Sequence, residues 1–494
     1  MSQQKSTLNN GCCGHRRQFL WESGAGFTGL ALGSLLEADG LFSSRAEAVE
    51  AIEHNPLAPK VVHFPAKAKS CIFLFMYGGP SAVDTFDYKP ELQKRDGQEI
   101  EIEVRRHKVK KQKLLASERK FSRHGESGLW CSDAFPHIAR HMDKLCVINT
   151  LQADSFAHGS AVLQMNSGQI ILGSPTLGSW LSYGLGTENQ NLPAFVVMLD
   201  PRGGPIPGAH NWSSGYMPAA YQGTQFRGKG DPILDLSPTD GMSVEAQRDQ
   251  LKTLAGLNAS HLANRPGLSE LAARIKSYEL AFQLQSTAPE VMDLSGETQN
   301  TLESYGLFDK KPDHKLSIGS AHFGRQCLIA RRLVERGVRF VQIYSGGGHQ
   351  QQNWDAHNGM EENLKIHAPE IDRPVDGLLT DLEQRGLLDE TLVVWGGEFG
   401  RQPVSQGDQR GRDHNPKGFL YWMAGAGIKS GHTHGETDEL GMEAVVEPHH
   451  LSDLHATILH LMGLDHHRLT YYYGGLDRKL TGVKNAKVIQ DIIA

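Results

Sequence analysis

Five short runs along the chain are apolar at most positions rather than at alternate ones: Cys71 to Gly79 (CIFLFMYGG), Leu145 to Thr150 (LCVINT), Ala194 to Leu199 (AFVVML), Val338 to Gly346 (VRFVQIYSG) and Thr391 to Gly397 (TLVVWGG). A strand that is apolar on both faces must be covered on both faces, which is the habit of a parallel sheet between layers of helices. Between the last two runs, Ile371, Val375, Leu378, Leu379 and Leu382 recur near a 3.6-residue period, predicting a helix from about Pro369 to Arg385. An earlier helix-like stretch, GRQCLIARRLVERGV, feeds the Val338 run and has Gly337 as its stop signal. Strand and helix therefore alternate, and the fold class that follows is α/β: a doubly wound, mostly parallel sheet flanked by helices, with helical and loop insertions. The stretch from Met242 to Leu307 is helix-like but polar and reads as an inserted layer or cap. No internal repeat is present.

Composition adjusts this picture little. The 494 residues are 39% hydrophobic and 21% charged, an ordinary globular balance that excludes a disordered or fibrous chain. A length of this size allows several domains or one large α/β unit. The net charge of -6 argues against a nucleic-acid partner, which would demand a basic excess. The basic run from Arg105 to Gly125 (RRHKVKKQKLLASERKFSRHG) reads first as a solvated loop or hairpin. The six cysteines, Cys12, Cys13, Cys71, Cys131, Cys146 and Cys327, contain no CxxC pair, so zinc-finger and thioredoxin readings fall away. Cys71 and Cys327 read as buried thiols, and the pattern leaves a Cys131–Cys146 bridge open. The unusual count is 24 His, which carries meaning only where His meet carboxylates.

At the N-terminus, Arg16 and Arg17 precede Phe19-Leu20 and a Gly/Ala/Leu-rich stretch, and Ala46-Glu47-Ala48 offers a small-residue cleavage site. Residues 1–48 resemble a twin-arginine signal peptide, although Glu22 and Glu37 interrupt the apolar stretch. The expectation is a chain handed to the twin-arginine export machinery and delivered to the periplasm or secreted. A linker at 49–69, a main domain at 70–485 with insertions at about 100–130 and 240–310, and a tail at 486–494 complete the expected organisation. No later stretch approaches the ~18–20 consecutive apolar residues of a membrane span, so the mature chain is expected to have none.

In open parallel sheets, loops at the carboxyl ends of strands converge, and functional side chains gather there. Past the first run lie Ser81, Asp84, Thr85 and Asp87; past the fourth, His349, Asp355 and His357; past the fifth, Glu398, Arg401, Arg412, Asp413 and His414. A mixed carboxylate and imidazole set from separate loops suits a divalent Zn, Mn or Fe, or Mg or Ca where carboxylates dominate. Arg401 and Arg412 offer guanidinium forks for the non-bridging oxygens of an anionic ester.

The strings MYGGPSAVDTFDYKP, MPAAYQGT, NWDAHNG, RGLLDETLVVWGGEFGRQP, GRDHNP and HHLSDLHATILHLMGLD resemble the bacterial domain-of-unknown-function family numbered 1501, abundant in planctomycete-type bacteria. The resemblance covers most of residues 65–485. It implies an alkaline phosphatase-like fold, shared with sulfatases and cofactor-independent phosphoglycerate mutases, and one or two metal ions holding a phosphate or sulfate ester. Carried over by position, it implies metal ligands at Asp84 (or Asp87), Asp355, His357, Glu398, Asp413 and His414. Phe399 stands where sulfatases and phosphatases typically have His, so a second ion would need His349, Asp413 or His158 instead. The segment DSFAHGSAVLQMNSGQ puts His158 at the nucleophile distance, with Ser155 and Ser160 close by, and its lack of Cys disfavours a formylglycine sulfatase. The expectation is an exported metal-dependent hydrolase of small anionic esters or of sulfated or phosphorylated glycans, with His158, Ser160 and Arg401 as catalytic candidates. The alternative is an envelope binding or structural protein that keeps the fold without turnover.

Overall fold

A computed structural model describes residues 55–104, 108–228, 233, 242–263, 269–348, 352–407 and 409–494 of the chain. The leader at 1–48, Arg105 to His107 and His349 lie outside the described residues. Residues Pro56–Ala494 form a compact unit. Its centre is a nine-stranded sheet of β1 (Ser70–Met76), β2 (Leu145–Gln152), β3 (Phe195–Met198), β4 (Thr224–Phe226), β5 (Phe340–Ser345), β6 (Thr391–Gly396), β7 (Phe419–Gly425), β8 (His432–His434) and β9 (His449–His450). Across the sheet the order is β8, β2, β7, β6, β1, β5, β3, β4, with β9 also lying against β2. Every pairing is parallel except the two made by β7, which runs against β6 and β2.

The reason for the two-sided apolar runs is visible in β1. Its Ile72, Leu74 and Met76 enter one core, and its Cys71, Phe73 and Phe75 enter the other, as alternation in a strand requires. The first core is roofed by α3 (Ser320–Glu335) and α4 (Met360–Gln384) through Cys327, Leu328, Ile371, Val375 and Leu379. The second is roofed by α1 (His158–Ser167), α2 (Leu177–Leu185) and α5 (Leu451–Leu461) through Val162, Met165, Trp180, Leu181, Leu454 and Ile458. The architecture is three layers, helices over both faces of a mostly parallel sheet. Cys131 and Cys146 are free thiols that belong to opposite cores, so no bridge joins them.

The helix expected from Pro369 starts earlier, at Met360, and carries Pro369 and Pro374 inside it. An interior proline costs about 3 kcal/mol of helix stability. The early turns nevertheless bury Leu364, Ile366, His367 and Ala368, and that burial outweighs the local penalty. The segment from Met242 to Leu307 contains helices Val244–Ala263, Ser269–Met292 and Gln299–Ser304. The basic run joins a hairpin in which Glu99 and Glu101 face Lys113 and Lys111 across the ladder, so its charge is answered locally. The stretch read as a linker buries Leu57 and Ala68, and the stretch read as a tail buries Ile489 and Ile492, all against the second core. Among the described residues, no helix is long and apolar enough to cross a membrane.

Candidate metal centre

The carboxyl ends of β1, β2, β5 and β6 are neighbours in space, and four loops meet above them. The first turn after β1 is Gly78-Gly79, where φ of +112° and +82° demands glycine. A Cβ on Gly78 would sit 2.4 Å from the Asp355 amide nitrogen, so the close approach of two loops depends on its absence. After β5, Asn353 Oδ1 accepts the Asp355 N–H at 2.9 Å and sets the turn that presents Asp355 and His357. After β6, Glu398 precedes a two-residue ladder in which Arg401 pairs with His414. After β2, the chain enters α1, whose first residue is His158.

These loops bring His158, Asp355, His357 and His414 together, with one ligand atom from each within 4.8 Å of the others. Asp355 Oδ1 lies 3.0 Å from His357 Nε2 and 3.2 Å from His414 Nε2, and Asp355 Oδ2 lies 3.1 Å from His158 Nε2. Each ring is held from behind by an oxygen on its Nδ1: Glu398 Oε1 for His158 at 2.5 Å, the Phe156 carbonyl for His414 at 2.6 Å, and Gln406 Oε1 for His357. Those oxygens accept, so Nδ1 carries the proton and the Nε2 lone pairs converge on the carboxylate. Acceptors facing acceptors call for a cation between them. His158 Nε2 is buried with the Asp355 carboxylate beside it but no well-aligned hydrogen bond to it, as a site for a cation predicts. Three imidazoles and one carboxylate are a zinc-type donor set, and ligand atoms about 2.0–2.2 Å from a tetrahedral ion would lie roughly 3.3 Å apart, close to the 3.0–3.2 Å from the Asp355 carboxylate to the three rings. The residues fit a single divalent ion.

Electrostatics agree with the geometry. Burial opposes charge on Asp355, yet His158, His357, His414 and Arg401 overcome it and hold the carboxyl well below the usual carboxylate range. Burial, with the positive charge of Arg401 and His158, pushes His414 down to about 4, so that ring is neutral near pH 7. For His158, burial again opposes charge, but the Asp355 and Glu398 carboxylates raise it to about 9. A cation is wanted at this point, and a proton serves there when an ion does not.

The other sequence candidates are not among these four ligand residues. Asp84 is buried and accepts a two-pronged contact from Arg412, 2.7 Å from Nε and 3.1 Å from Nη2, plus the Ser81 hydroxyl at 2.5 Å. It does not join the cluster. Asp87 accepts from Thr437 Oγ1 at 2.6 Å and pairs with Lys89 at 3.0 Å. Glu398 sits one shell out, taking the Gly78 N–H at 3.0 Å as well as His158. Asp413 Oδ1 accepts the His414 amide at 2.8 Å. Arg401 is fully buried and spent on Asp355 (2.6 Å) and the Gly78 and Gly79 carbonyls, so it positions the carboxylate instead of clamping an ester. Ser160 lies in the first turn of α1 with its hydroxyl 2.6 Å from that of Ser155. Phe399 is 1% exposed and stacks on His414 at 4.3 Å between ring centroids, with His158 at 4.9 Å, an apolar wall with no ligand atom. Gln406 and the Phe156 carbonyl carry no signal in the sequence; only tertiary placement reveals them.

The family profile described as "Protein of unknown function (DUF1501)" matches residues 68–493. No curated protein matches the chain. Solved structures similar to it include the PsFucS1 sulfatase from Pseudoalteromonas sp., at 11% identity and TM-score 0.34, covering 85% of this chain and 73% of that one. A TAB5 alkaline phosphatase with bound Mg is similar at 12% identity and TM-score 0.34, covering 82% of this chain and 100% of that one. The phosphonate monoester hydrolase SpPMH from Silicibacter pomeroyi is similar at 12% identity and TM-score 0.29, with 67% and 68% covered.

Proposed function

We propose that this chain, which belongs to the DUF1501 family of unknown function, is a metal-dependent hydrolase of phosphate or sulfate esters, exported by way of the twin-arginine-like leader at residues 1–48. The observation that carries the reading is the convergence of three imidazole Nε2 atoms on the Asp355 carboxylate. A divalent ion held there supplies Lewis acidity for the ester oxygens and a more acidic water.

The chain's own residues do the rest. His158, His357 and His414 hold their lone pairs inward because Glu398, Gln406 and the Phe156 carbonyl fix the ring tautomers. Arg401 keeps Asp355 ionised and oriented. His158 opens α1, so the positive end of that helix lies beside the cluster, an arrangement that favours an anionic substrate. Ser160, in the same turn, is the candidate nucleophile, with Ser155 as its hydroxyl partner. Phe399 lines the site with apolar surface that keeps bulk water from the ligands. A sulfated or phosphorylated glycan is the substrate class proposed.

The test is metal analysis of purified protein coupled to a panel of aryl phosphate, phosphodiester and aryl sulfate esters. The expected result is one divalent ion at this centre and turnover of one ester class, both lost in Asp355→Asn combined with His357→Ala. Turnover that survives that double change overturns the reading. The second reading, a binding protein without turnover, is favoured by Phe399 filling the place of a further ligand, and a metal-loaded chain inert on every ester would select it.

A further inference from the structure

A second group of imidazoles lies at the β8 edge of the sheet, apart from the Asp355 cluster. His432 and His434, two residues apart on β8, meet Asp491 from the 3₁₀ turn Gln490–Ile492. His432 Nε2 lies 3.2 Å and His434 Nδ1 3.0 Å from the same oxygen, Asp491 Oδ2, and the three ligand atoms fall within 4.8 Å of one another. The other nitrogen of His434 faces His449 on β9, Nε2 to Nε2, at 2.9 Å. His449 Nδ1 in turn faces Asp453 Oδ2 at 3.3 Å.

Counting protons along this run exposes a mismatch. Asp491, His434, His449 and Asp453 offer three hydrogen-bond positions, the end groups only accept, and two neutral rings own two protons between them. One position is left with lone pair against lone pair unless a cation fills it. The 2.9 Å gap between the two Nε2 atoms has room for a proton alone. At the Asp491 end a third donor, His432 Nε2, converges, and there an ion fits. With an ion on His434 Nδ1, the His434 Nε2–H donates to His449, the His449 Nδ1–H donates to Asp453, and both rings are neutral and fully used. That is the pattern of a ligand imidazole backed by an outer acceptor chain.

We propose that His432, His434 and Asp491 form a second, structural site for a zinc-like divalent ion, with His449 and Asp453 as its outer shell. Two imidazoles and a carboxylate select Zn, Co or Ni over Mg or Ca. The ion clips the C-terminal segment onto the sheet edge, where the Lys429 N–H to Ile492 carbonyl bond (2.9 Å) and the Ala494 N–H to Gly427 carbonyl bond (2.9 Å) already hold it. Lys429 Nζ approaches only the far oxygen, Asp491 Oδ1, at 3.4 Å. His434 is buried, which fixes the geometry, whereas His432 and Asp491 are reachable from solvent.

The test counts zinc bound by the chelator-stripped full chain and follows the zinc-induced rise in melting temperature. Two ions per chain are expected. An Asp355→Asn chain is expected to keep one, which shows that the inference stands or falls apart from the proposed hydrolase. His432→Ala and Asp491→Asn, both at accessible positions where folding is not at risk, are expected to bind one ion fewer than the parent and to lose part of the melting shift. His449→Gln, which touches no ion, is expected to weaken this site about 10–100-fold. An unchanged zinc count in His432→Ala and Asp491→Asn, or no zinc on the Asp355→Asn chain, overturns the proposal.

Discussion

Asp84 and Asp355 each follow a central strand, each is almost wholly buried, and their surroundings give them different work. Asp355 faces three imidazoles and the single Arg401 contact, so its oxygens remain pointed at a shared centre. Asp84 is closed off by the Arg412 fork and Ser81; burial works against its charge, and the guanidinium overcomes this and lowers its pKa. Leaving one partner of a buried ion pair alone costs about 3–5 kcal/mol. Asp84→Ala is therefore expected to lose that much in urea denaturation while the ion count stays at the parent value. A lower count in a folded Asp84→Ala chain would return Asp84 to the ligand set. Both aspartates carried the same signal in the sequence, a carboxylate past a strand end, because residue type and spacing do not say whether an arginine from more than 300 positions away will close on one of them.

At the scale of elements, the site is built by the ends of strands and the start of one helix. The turn after β1 depends on Gly78, whose positive φ and missing Cβ let the loop bearing Asp355 pass within contact. Gly78→Ala is expected to introduce strain of about 1–3 kcal/mol and to push that loop outward. Ion affinity should then fall at least about tenfold by calorimetric titration, with the far-ultraviolet circular dichroism unchanged; an unchanged affinity would mean that the loop does not need the close approach. The central strands were legible because burial on both faces leaves continuous apolar runs. β7 is not among the five runs read from the sequence, and although FLYWMAG is as apolar as its neighbours, an apolar run carries no record of the antiparallel pairing it makes with β6 and β2. The start of α4 was missed for a related reason: a proline at position 369 reads locally as a first turn, and only packing against the sheet carries the helix through it.

At the scale of the whole molecule, one buried histidine outside both clusters links folding to pH. His455 on α5 has its Nε2 2.7 Å from the Met165 carbonyl, and burial pushes its pKa from 6.5 down to about 4. Between those values the unfolded chain binds the proton and the folded chain does not, so stability is full above about 6.5 and falls as the pH drops towards 4. The slope from this residue is about 1.4 kcal/mol per pH unit. His455→Gln should flatten the difference in unfolding free energy between pH 7 and pH 5 relative to the parent, and an identical difference would remove His455 from the account. The three-layer α/β plan and the carboxyl-end position of the Asp355, His357 and His414 loops were written in the sequence, because strand burial and helix periodicity are local patterns that survive without coordinates. The donor set was decided by the tertiary structure: His158 and Glu398 meet across 240 positions, and Gln406 and the Phe156 carbonyl orient rings they do not adjoin in the chain. Convergence of lone pairs on one point is a property of loop closure in three dimensions, and no linear spacing encodes it.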